Sequence, residues 1–173
     1  MLISCLFSSA WAAPFPGTSS SALVGEKPGA FYSSRGFRIN SAQTAWIQTP
    51  PPKHIPSLVT VYKSPAPFNG QQPALTVRVD EMRHLQPLKT YVKKWMKDYT
   101  RFGFEVLTAK PIKIGENSAF LLDIVSRETQ KQLRQVVFVR EKVAVILTCR
   151  DGRDSFAKTV LDCNEIVKTF EWQ

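Results

Sequence analysis

Histidine and cysteine are scarce in this chain, with two of the first and three of the second among 173 residues. His54 and His84 are far apart, and only His84 has acidic neighbours, Asp80 and Glu81. Their spacing fits a surface turn at the end of a strand better than a ligand set, so no metal and no cofactor are expected. A Cys-x-x-Cys pair is missing, which removes the usual thiol redox enzymes. Gly-x-Ser-x-Gly, a phosphate loop, a dinucleotide fingerprint and His-Glu-x-x-His are missing too. The sequence therefore assigns no catalytic residue, and the expectation is a protein that is not an enzyme. No run approaches the roughly 18 consecutive apolar residues of a membrane-spanning helix. Internal repeats are also lacking, which excludes solenoids and propellers.

Acidic residues are the other shortage. Fourteen Asp and Glu stand against 23 Lys and Arg, for a formal charge of +9 and a pI near 9.7. Such a balance favours acidic partners at long range without specifying a fold. The length and the 43% hydrophobic fraction suit one core that is stable without a dense disulfide network.

Leu2 to Trp11 are apolar or small, and Ala10-Trp11-Ala12 puts small residues where signal peptidase needs them, although no Lys or Arg precedes the run. Residues 1–12 are read as a signal peptide, 13–30 as a flexible leader rich in Pro, Gly and Ser, and 31–173 as the folded domain. The expected address is export, to the bacterial periplasm. Leu2-Ile3-Ser4-Cys5 has the look of a lipoprotein site, but Leu6 and Phe7 continue apolar where an anchored terminus turns polar, so a lipid at Cys5 is not expected.

Within the domain, Gly36-Phe37-Arg38-Ile39 and Ala45-Trp46-Ile47 are short apolar stretches ahead of Pro50-Pro51-Pro52. Leu58 to Tyr62 and Leu75 to Val79 read as adjacent strands. Pro87 to Phe102 reads as a helix, with Leu88, Val92, Trp95, Tyr99 and Phe102 on one face and Gly103 as its stop. Lys110 to Ile114, Ala119 to Ser126, Leu133 to Val139 and Val143 to Cys149 follow as strands whose short connections make the last three antiparallel neighbours. A second helix begins near Asp154 and aligns Phe156, Val160, Cys163, Val167 and Phe170. Trp95, Tyr99, Phe156, Val160 and Phe170 should all face the sheet.

This order of elements resembles the PsbP-like family, which includes the photosystem II extrinsic protein PsbP, the bacterial envelope protein DcrB and a Ran-binding nuclear transport factor. The resemblance covers Phe31 to Trp172. It rests on Gly36-Phe37-Arg38-Ile39 with Trp46, on Pro87-Leu88-Lys89-Thr90-Tyr91-Val92, and on Ile166-Val167-Lys168-Thr169-Phe170. It implies an α+β fold, an α/β/α sandwich whose antiparallel sheet of about six or seven strands is flanked by helices. The family offers no shared catalytic residue, and its members serve mostly as accessory or binding proteins.

Cys149 and Cys163 form either a disulfide or two buried thiols. An oxidising compartment permits the bond, but Cys163 lies about 13 Å along a helix that starts at Asp154, against a Cα limit of about 7 Å for bonded cysteines. The most unusual feature is a basic stripe, Lys89, Lys93, Lys97 and Arg101 at intervals of four with Lys94 beside them. Like charges at that spacing disfavour a helix slightly, and Asp98 offsets only part of the repulsion. The stripe is the candidate contact surface for an acidic envelope protein or an anionic surface. Nucleic acid is not expected, because export separates the protein from it and no aromatic stacking motif is recognisable.

Overall fold

The computed structural model describes residues 29–67 and 70–173. The proposed signal peptide, Cys5 and the leader up to residue 28 lie outside the described residues. In chain order the elements are β1 (Phe31–Ser33), β2 (Phe37–Ile39), β3 (Ile47–Thr49), β4 (Leu58–Lys63), β5 (Ala74–Glu81), α1 (Leu88–Arg101), β6 (Phe104–Ile114), β7 (Asn117–Ser126), β8 (Lys131–Arg140), β9 (Val143–Gly152), α2 (Phe156–Lys168) and β10 (Glu171–Trp172). Seven strands pair in the order β3-β4-β5-β9-β8-β7-β6, all antiparallel, and β1-β2-β10 form a small second sheet.

Period-two alternation along the strands gives the large sheet two different faces. Leu75, Cys149 and Arg134 are in register on one face, while Thr76, Thr148 and Gln135 are in register on the other. The first face is covered by α2 and the small sheet. Its core joins Leu75, Val77, Val136, Phe138 and Leu147 to Phe156, Cys163, Ile166 and Phe170. At its centre the rings of Phe138 and Phe170 stack at 3.9 Å, and Phe37 of the small sheet lies 5.6 Å beyond Phe170. The second face carries α1, with Tyr91 and Val92 packed on Leu122, Val137, Ala144 and Ile146. The result is the α/β/α sandwich of an α+β fold.

Local chemistry explains the boundaries. Gly103 takes φ 76°, a left-handed conformation open to glycine, so α1 passes into β6 with almost no loop. β6 lies at the sheet edge, where Pro111 lacks an N–H without cost to an interior ladder. This strand is longer than the Lys110 to Ile114 segment anticipated from the sequence. Its first half is broken by an irregularity between Val106 and Thr108 that leaves Leu107 half exposed and hides the alternation.

Three further expectations need correction. Phe102 does not join the inner stripe of α1. It follows the last helical residue, its backbone has left the helix, and its side chain is 69% exposed. Tyr91 occupies an inner position instead, while Trp95 and Tyr99 do face the sheet but only half-buried. Asp80 and Glu81 are the last two residues of β5, so Asp80 is at the strand end as expected, but the surface turn expected for both of them and His84 begins only beyond Glu81. The second helix starts at Phe156 and not near Asp154, because Asp154 belongs to a turn closed by the Ser155 amide donating to the Gly152 carbonyl at 3.2 Å.

Candidate functional site

Lys89, Lys93, Lys94, Lys97 and Arg101 are all exposed on α1. Arg101 lies 3.9 Å from Asp98 one turn away, and among the described residues no carboxylate pairs with any of the four lysines. Arg101 complements the negative end of the helix dipole, whereas Lys89 sits in a first turn that holds no acidic residue. The surface charge therefore works against the helix, and its underside must hold it in place.

That underside is a polar network set into an apolar contact. The Tyr91 hydroxyl donates to Asp80 Oδ2. Arg78 donates from Nη2 to the same oxygen at 3.1 Å, and its buried Nε sits 3.1 Å from Oδ1 without a directional hydrogen bond. The Arg78 guanidinium in turn lies 4.6 Å from the centre of the Trp95 ring. One turn further on, the Tyr99 hydroxyl donates to Gln135 Oε1, and Gln135 Nε2 donates to Thr148 Oγ1 at 3.2 Å. Burial raises the pKa of both phenols above the ordinary tyrosine value, with the hydrogen bond to and charge of Asp80 adding to the effect at Tyr91. Both hydroxyls stay neutral donors, and three successive turns of α1 are fixed to β5, β8 and β9.

This network is what sequence reasoning missed. Its signal was present in Thr76, Arg78 and Asp80, which alternate with apolar residues in β5 and so share one face. Grouping Asp80 with Glu81 and His84 in one surface turn at the strand end hid that pattern.

The other candidates fall elsewhere. Cys149 and Cys163 are bonded, with Cα atoms 6.0 Å apart, and both are buried in the α2-side core. His54 and His84 are exposed, and among the described residues no three His, Cys, Asp or Glu side chains gather as a metal site would require. A shallow groove of about 390 Å³ lies between α2 and the outer strands, with Ile112, Ile114, Leu121 and Leu161 in its lining. Arg134 lies beside it, held by Asp123 through two hydrogen bonds of 2.8 Å and donating to Asn164 of α2 at 3.3 Å. No helix of the described residues is long and apolar enough to cross a membrane.

No protein-family profile and no curated protein matches the sequence. Solved structures do match. The cyanobacterial PsbP protein of Synechocystis sp. PCC 6803 superposes with a TM-score of 0.62 at 12% identity, over 90% of this chain and 99% of that one. LpqN of Mycobacterium tuberculosis, a protein involved in cell envelope biogenesis, gives 0.61 at 12% identity over 78% and 81%. A Pseudomonas aeruginosa protein of unknown function, described as a putative regulator, gives 0.58 at 19% identity over 81% and 93%. At these identities the likeness establishes the fold, which is PsbP-like, and leaves the activity to be argued from the site.

Proposed function

We propose that this chain is an exported, non-catalytic accessory protein of the cell envelope that contacts another envelope component through the basic face of α1. The observation that carries the reading is the row of four exposed lysines that have no carboxylate partner among the described residues, on a helix locked at three turns to the sheet beneath it. Unpaired like charges on a rigid support lose stability to mutual repulsion, and an acidic counter-surface relieves it.

Four further features support the proposal. A PsbP-like fold goes with accessory and binding roles in the family that the sequence resembles. One of its structural neighbours takes part in envelope biogenesis. A disulfide buried in the core suits an oxidising compartment, as does the apolar amino-terminal segment ending in Ala10-Trp11-Ala12.

The test has two parts. Amino-terminal sequencing of protein made in its native cell should begin at or near Ala13, and recovery of intact Met1 in the cytoplasm contradicts export. Affinity capture from envelope extract should retrieve a component with the wild type and lose it with Lys93→Glu/Lys97→Glu.

A further inference from the structure

We propose that the component bound by the basic face of α1 is an anionic lipid surface, and that Leu85 and Phe102, at the two ends of the helix, are its apolar anchors. This rests on the reading of α1 as the contact surface and names its partner. Leu85 and Phe102 are 73% and 69% exposed, the highest values among the exposed large hydrophobics of the described residues. They bracket α1, Leu85 three residues before its first residue and Phe102 directly after its last. Between Arg83 and Phe102 the chain carries Arg83, Lys89, Lys93, Lys94, Lys97 and Arg101 against the single acidic Asp98. Twenty consecutive residues thus hold a net +5 of the +9 formal charge of the whole chain.

The kind of cation matters. Four of the five stripe residues are lysines, whose compact charge on a flexible stem suits a diffuse field of phosphates. A partner built from ordered carboxylates favours the bidentate fork of arginine. The apolar face of α1 is already used in the core, where Tyr91, Val92, Trp95 and Tyr99 pack on the sheet. An ordinary interfacial helix buries its apolar face in the lipid, and α1 has none free to bury. Attachment must come from charge, at about fivefold in partitioning for each Lys or Arg near an anionic surface. Leu85 and Phe102 then supply a shallow hold. Binding of this kind is reversible and strongly dependent on ionic strength.

The experiment is vesicle co-sedimentation of the protein with phosphatidylcholine, with and without phosphatidylglycerol, at low salt and at about 0.15 M, where the Debye length is about 8 Å. Three proteins are compared: wild type, Lys93→Glu/Lys97→Glu and Leu85→Ser/Phe102→Ser. All substituted side chains are exposed, and thermal melting verifies that the fold is kept. The expected result is wild-type binding only to the anionic vesicles and weaker binding at 0.15 M. The charge reversal should lower it by about tenfold or more, and the serine pair by about fivefold. Absence of wild-type binding at low salt overturns the lipid proposal. If the charge reversal still abolishes capture of a protein from envelope extract, the partner is an acidic protein and the reading of α1 survives. Vesicle binding unchanged by the charge reversal overturns both. Vesicle binding lost with the charge reversal but unchanged by the serine pair overturns the role of Leu85 and Phe102.

Discussion

Cys149 and Cys163 lie with Cα atoms 6.0 Å apart because the strand and the helix that carry them retrace each other. Cys149 is three residues from the end of β9, about 10 Å back at 3.3 Å per residue, and Cys163 is seven residues into α2, about 10 Å at 1.5 Å per residue. The two advances cancel across the turn. Counting the helical advance alone, from an earlier start, puts the pair out of reach.

Closing this short loop should contribute about 3 kcal/mol. Reduction, or Cys149→Ser/Cys163→Ser, is expected to lower the melting temperature by about 6 to 12 °C. Thermal melts with and without reductant check this, and coincident curves contradict it.

Phe138 is fully buried and stacks on Phe170, which in turn meets Phe37 of the small sheet. Phe138→Ala empties the junction of both sheets and α2, and should cost about 3 to 5 kcal/mol. Denaturant unfolding with an unchanged midpoint would show that the stack is not a structural centre.

Arg134 and Asp123 are 23% and 13% exposed in their side chains. Arg134→Ala leaves the carboxylate without its counter-charge and frees Asn164 of α2, at an expected cost of about 3 kcal/mol. Arg134→Met/Asp123→Leu removes both charges and should cost clearly less. Equal losses from the single and paired variants contradict this account of the ion pair.

Tyr62 is fully buried and donates to the carbonyls of Gly29 and Ile39 at 3.0 and 3.1 Å, and burial holds its phenol well above the ordinary range. Below about pH 10 both folded and unfolded chains carry the neutral phenol. Above it the unfolded chain loses the proton while the folded one keeps it, so stability falls as pH rises. Tyr91 acts in the same direction. Phenolate absorbance from these two side chains should appear only as the fold opens, and Tyr62→Phe should make the alkaline loss of stability less steep. Full ionisation near pH 10 with the fold intact contradicts the prediction.

The sheet and both helices were legible because their signals are local. Leu75 to Val79 alternates apolar with polar residues, and Val92, Trp95 and Tyr99 recur at helical spacing. The ends were not. Phe102 continues the spacing of α1 by number, yet its backbone has left the helix, and periodicity does not register that change. The β1-β2-β10 sheet escaped notice because each strand has only two or three residues and its third strand comes from the far end of the chain, where Trp172 pairs with Phe37. The lysines could be read as an exposed face. The network that fixes them from below, Arg78 and Asp80 to Tyr91 and Trp95, joins a strand to a helix and exists only in three dimensions.

The claim that the α1 face itself makes the contact, rather than the overall positive charge, is tested most directly by comparing two charge reversals. Lys93→Glu/Lys97→Glu alters α1, and Lys110→Glu/Lys113→Glu alters exposed positions on the edge strand β6. Each Lys→Glu change removes two charges, so both variants fall from +9 to +5. Capture from envelope extract is measured at low salt, with a melting curve for each protein. The α1 reversal should lose capture with its melting temperature scarcely moved, while the β6 reversal keeps it. Equal loss in both variants shows that net charge suffices, and full capture by the α1 variant shows that the contact surface lies elsewhere.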